Sequence, residues 1–128
     1  MAATISFDNQ LDAVISIAGE QVTRDSMSES IRRITAELAA NRSERLLVDM
    51  SQSEITVPVE STTIILDRLL NAVHSHLTVA MIFNDRQHAY ARHVADYLSA
   101  GMVDIETFST VQAATAWMVG ESGLSRQA

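Results

Sequence analysis

Apolar and polar residues alternate along this chain with two periods, and the switches between them divide it into elements. Residues 3–7 and 13–17 alternate over short, β-branched stretches, with Asp8, Asn9 and Gln10 between them as turn formers. This predicts an opening hairpin that Gly19 ends. Met27, Ile31, Ile34 and Leu38 then recur at helical spacing, with Arg32, Arg33 and Glu37 between them. Thr23 is placed to cap this helix, predicted over residues 24–40, with Asp25 and Glu29 near its positive end. Residues 46–50 form a short apolar run that reads as a buried parallel strand. A loop with Pro58 follows, and Glu60 or Ser61 opens a second helix whose apolar side carries Ile65, Leu66, Leu69, Leu70 and Val73.

Residues 77–83 are apolar on both faces of a strand, as a central position in a sheet requires. Asn84 or Asp85 caps a third helix through Ala100, with Tyr90, Val94, Tyr97 and Leu98 on one side and Gly101 where a left-handed C-cap belongs. Residues 103–108 alternate cleanly, as on an edge strand with one wet face. Ser109 and Gln112 have the spacing of a capping box for a last helix that buries Val111, Ala114, Trp117 and Met118. The order β-β-α-β-α-β-α-β-α predicts an α/β fold, a mixed sheet of four or five strands with helices packed on it. Residues 1–120 form one domain, and residues 121–128, which lack a period, a frayed tail.

Composition narrows the function classes. The chain has no cysteine, which excludes disulfides, thiolate metal sites and cysteine nucleophiles and fits a cytoplasmic location. The net charge is −7, and all nine basic residues are arginine. An acidic domain without a basic patch repels phosphate backbones, so no nucleic-acid partner is expected. The apolar runs are too short to span a membrane, and the N-terminus has no signal-peptide pattern.

Candidate chemistry is thin. His74 and His76 are two apart, a spacing that suits zinc on a strand, but they straddle a helix end, where such residues point apart. His88 and Arg92 share a helix face while His93 is turned about 100° from Arg92, so a solvated polar face is the reading. Asp49 and Asp85 lie near the ends of neighbouring strands, where two carboxylates can hold Mg²⁺, yet Asp85 is a natural helix cap. There is no glycine-rich phosphate loop and no nucleophile elbow. No cofactor, no metal and no enzymatic activity are therefore expected.

Three stretches carry a family resemblance: RLLVDMSQ at 45–52, LTVAMIFND at 77–85 with the YLSAGMVDIETFS that follows, and residues 109–118 with AWM at 116–118. They resemble the SpoIIAA-like proteins of bacteria, which share the fold of STAS domains and are grouped with CRAL-TRIO lipid-binding modules. The resemblance implies helices packed on a four-to-five-stranded sheet, no enzyme, and a structural role for Asp49. Sigma-antagonist STAS domains carry a phosphorylated Asp-Ser-Ser-Gly at the start of the helix after this strand. Here that stretch runs through Glu60, Ser61, Thr62 and Thr63, without the aspartate or the glycine. Ser61 is thus a weak phospho-acceptor candidate, and the pattern reads it as the helix N-cap.

The resemblance also implies a partner surface around the second helix and the loop before it. In this chain that loop carries Glu54, Ile55, Val57, Pro58 and Val59. It is apolar for a loop, which marks a contact site, and its alternation allows a short strand. The expected role is a protein-interaction or regulatory module that binds another protein or itself as a homodimer. The alternative is a domain that binds a small apolar ligand or lipid, for which 128 residues leave little room for a cavity.

Overall fold

The computed structural model describes residues 3–73, 76–101 and 103–127, with backbone alone for 121–127. Strands β1 (Thr4–Asp8) and β2 (Ala13–Ile17) form the antiparallel hairpin, in register from Thr4 opposite Ile17 to Asp8 opposite Ala13. The Asp8 carboxylate closes the turn by accepting from the Gln10 and Leu11 amides at 2.8 and 3.0 Å. A two-residue strand β3 (Gln21–Val22) precedes helix α1 (Arg24–Asn41). Thr23 caps α1: its hydroxyl accepts from the Ser26 amide at 3.1 Å, and the Ser26 hydroxyl accepts from the Thr23 amide at 2.9 Å.

Strand β4 (Arg45–Asp49), the short β5 (Glu54–Ile55), helix α2 (Val59–Ala72), strand β6 (Leu77–Ile82), helix α3 (His88–Ser99), strand β7 (Val103–Phe108) and helix α4 (Val111–Gln127) complete the chain. The main sheet has the order β1-β2-β4-β6-β7, with every pair parallel except the hairpin; β3 and β5 form a separate parallel pair. This is the expected mixed five-stranded α/β sheet.

Connections of one hand taken in one direction place their helices on a single face. The larger core accordingly joins Ile31 and Ile34 of α1, Leu66 and Leu69 of α2, and Val94 and Leu98 of α3 to Leu46, Val48, Val79 and Met81 of the sheet. The opposite face carries a smaller core of Leu47, Ala80 and Ile82 under Ala114 and Met118 of α4. Trp117 packs there against Phe108, ring centroids 5.7 Å apart. Arg45 fastens α4 to the sheet, donating to the Met118 carbonyl at 2.6 Å and to the Leu11 carbonyl at 3.0 Å.

Several local expectations are corrected. Helix α2 starts two residues before Ser61, with Pro58 as its N-cap and no side-chain cap. Proline's fixed φ suits a helix start, and the Thr62 amide closes the first turn on the Pro58 carbonyl at 3.0 Å. Ser61 sits inside that turn, and its hydroxyl bonds to no described residue. Gly101 does not adopt positive φ; α3 closes on Ala100 in right-handed geometry, and among the described residues positive φ occurs at Arg42, which caps α1, and at Asp12 in the hairpin turn. Thr110 rather than Ser109 caps α4, accepting from the Ala113 amide at 3.1 Å. Val111, which precedes the first buried turn, is 46% exposed. The α4 backbone continues past Gly120 to Gln127, since glycine weakens a helix without having to end it.

Both tyrosines of the chain bridge α3 to α2. Tyr90 shares a 3.1 Å hydrogen bond with the Thr62 hydroxyl, and Tyr97 donates to the Asp67 carboxylate. Burial raises the Tyr90 hydroxyl above its ordinary value, with the Thr62 bond working the other way; the Asp67 hydrogen bond raises Tyr97.

Three measurements check this packing. Trp117→Ala is expected to lose about 3 kcal/mol in a denaturant titration, and a loss under about 1 kcal/mol would contradict the smaller core. Ser61→Ala is expected to stay within about 0.5 kcal/mol of the parent protein, since it removes no cap; a loss above about 1 kcal/mol would restore the capping role. Groups whose folded values are raised stabilise the protein below the ordinary tyrosine range, and this contribution is lost as pH rises through the folded values. Tyrosinate absorbance should therefore lag behind free tyrosine in an alkaline titration, and Asp67→Asn should shift the Tyr97 component back. Ionisation of both rings at the free value would refute the two contacts.

Candidate functional site

The C-terminal ends of the parallel strands gather the polar side chains of a cleft. After β4, the Asp49 carboxylate accepts from the Ser51 amide at 3.0 Å and from its hydroxyl at 2.6 Å, which turns the chain. The Ser53 hydroxyl then donates to the Gly19 carbonyl at 2.6 Å, and β5 lies beside β3 with Glu54 opposite Gln21 and Ile55 opposite Val22. After β6, Asn84 caps a 3-10 turn, Asp85–Gln87, and donates its side-chain amide to the Ser51 carbonyl at 2.7 Å. Gln87 is buried and donates to the carbonyls of Met50 and Ser53, both at 2.8 Å, while its oxygen accepts from the Asn84 amide at 2.9 Å. These bonds make a rigid floor. Glu20, Glu54, Ile55, Arg86 and Tyr90 stand around it, enclosing about 550 Å³.

The structure divides the predicted interaction loop. Val57 is 6% exposed, inside the larger core, and Ile55 is partly buried against it. Two of the loop's three alternating apolar side chains pack on their own domain, because the β3–β5 pairing draws the segment down. Glu54, Pro58 and Val59 remain exposed. Farther along α2, Ile64 is 62% exposed, the most exposed large apolar side chain among the described residues. Ser61 is partly exposed, but its neighbour Thr62 is fully buried, its hydroxyl bonded to the Pro58 carbonyl and to Tyr90.

The other candidates do not converge. Asp49 is engaged by Ser51, and Asp85 lies in the turn capped by Asn84. His74 lies outside the described residues; His76 sits at the opposite end of the sheet, 3.2 Å from Asp104 in an exposed pair. Among the described residues no three histidine, aspartate or glutamate side chains cluster as a metal site. His88 and Arg92 face solvent, whereas His93 turns inward and its buried Nε2 has no hydrogen-bond partner among the described residues.

Sequence reasoning missed Gln87 and Ser16. Gln87 stands in a polar stretch that reads as helix surface, and Ser16 reads as an ordinary strand residue. Ser16 is 2% exposed and lines an apolar cavity of about 70 Å³ between α1 and the sheet. A polar residue at an inward position of a strand is the signal that could have found it.

No protein-family model matches the chain, and no curated protein matches it significantly. Among solved structures, it is similar to an uncharacterized protein of the DUF3478 family, with a SpoIIAA-like fold, from Shewanella loihica PV-4. That match covers 91% of this chain and 94% of the other at 16% identity, with a TM-score of 0.65. At that identity the likeness speaks for architecture alone: the chain has a SpoIIAA-like fold.

Proposed function

We propose that this protein is a non-enzymatic, STAS-like interaction module that binds another protein, or a second copy of itself, through the start of α2 and the rim before it. The observation that carries this reading is the exposure of Pro58 and Val59 beside Glu54 on a segment that Val57 and the β3–β5 pair hold rigid. A preformed apolar anchor with a polar rim loses little conformational freedom on binding. Ile64 is a second exposed apolar side chain on the same helix, about 140° round from Val59, and the partly exposed Ser61 between them in sequence is the position where a phosphate would alter this end of the helix. A cytoplasmic location belongs to the same reading and fits a chain without cysteine. Among the described residues no helix is long and apolar enough to cross a membrane.

The lipid-binding alternative has less support. A cavity of about 70 Å³ is well below the several hundred cubic ångströms of a drug-sized or acyl-chain site.

Val59→Glu and Ile64→Glu change exposed positions and are expected to leave stability within about 0.5 kcal/mol. Sedimentation equilibrium and affinity capture from a cell lysate, run on the parent and both variants, are the test. Self-association or a captured protein that the parent retains and a variant loses is the expected result. A parent protein that stays monomeric and captures nothing the variants lose would overturn the reading.

A further inference from the structure

The cavity beneath α1 follows from side-chain size. On the face of β2 toward α1, Val14 is followed by Ser16, and Ala18 and Gly19 continue beyond the strand. Ser16 lies between Ile5 of β1 and Val48 of β4, with Met81 beyond Val48, and Val48 and Met81 border the space that the serine leaves. Met27, Ile31 and Ile34 of α1 close it from above, and Ala3, Ala18, Gly19 and Gln21 lead from it toward the surface. Met27, Met50 and Met81 all line it, and methionine adapts its shape to what it touches.

Ser16 is the unusual member of this lining. It is 2% exposed, and its hydroxyl forms no hydrogen bond with a described residue. A hydroxyl that faces a cavity can gain a hydrogen-bond partner from a guest. Water suits the site poorly, since an ordered water needs two to four polar partners and this lining is chiefly aliphatic. An apolar cavity of about 150 Å³ accepts benzene with its six heavy atoms, so about half that volume accepts on the order of three to four heavy atoms.

We propose that this cavity binds a short-chain alcohol or ketone of about four heavy atoms, its carbon skeleton among the methionine and aliphatic side chains and its oxygen on the Ser16 hydroxyl. The site is separate from the surface of α2, and neither reading depends on the other.

Methyl-detected NMR spectra of the full chain, titrated with isopropanol and with acetone and compared with xenon as a guest that cannot hydrogen-bond, test the proposal. Saturable shifts at Ile31, Ile34, Val48 and Val79 are expected with isopropanol or acetone. Ser16→Ala is expected to weaken that binding about fivefold without weakening xenon. Ser16→Val fills the cavity and should abolish both. Absence of saturable shifts with both oxygenated guests, binding of xenon alone, or equal affinity in the parent and Ser16→Ala would each overturn the assignment. If Ser16→Val fails to fold, the comparison of Ser16→Ala with the parent decides.

Discussion

Strands β4 and β6 are apolar on both faces, and the architecture follows from the need to cover both. Leu46, Val48, Val79 and Met81 point to one side; Leu47, Ala80 and Ile82 point to the other. A sequential parallel order sends the crossover helices to one face, so the connections cannot cover the second. Helix α4 does so after the last strand. It is held there by Ala114, Met118 and the Trp117–Phe108 contact, and by Arg45 reaching the Met118 carbonyl. Without α4, Leu47 and Ile82 would face water.

The same order shapes the loops at the C-terminal ends of the strands. Doubly wound sheets open a crevice where the strand order reverses, and this sheet has no reversal among its parallel strands. The loops after β4 and β6 instead lie side by side and bond to each other. Gln87 and Asn84 satisfy the carbonyls of Met50, Ser51 and Ser53, which a turn at a sheet edge would otherwise leave to solvent. The result is a wall of mutually bonded loops beside Glu54, Pro58 and Val59. The Asp49 carboxylate serves this turn through Ser51.

Apolar alternation in a loop has two meanings that composition does not separate. Ile55, Val57 and Val59 read alike, yet Ile55 and Val57 stabilise the domain and Val59 is left exposed. The difference arises because β5 borrows a ladder from β3, a strand more than thirty residues earlier, through hydrogen bonds such as that from the Thr56 amide to the Val22 carbonyl at 2.9 Å. The loop's alternation allows a short strand, but a two-residue strand carries nothing that names its partner.

What the sequence by itself determined is what local backbone geometry governs. The helical spacing of Met27, Ile31, Ile34 and Leu38, the double-faced run at 77–83 and the Thr23 cap each depend on neighbours within a few residues, and all appear where the pattern places them. The wet face of the edge strand, with Asp104 and Glu106 exposed, was legible for the same reason. Tertiary structure alone decided the rest. It drew Val57 into the core, buried Gln87 between two loops and set Ser16 against a cavity. It also let Pro58 open α2, leaving Ser61 inside the first turn. In the buried cases the outcome turns on what distant strands and helices offer as hydrogen-bond partners and packing volume, and that is not written in the residues adjacent in sequence.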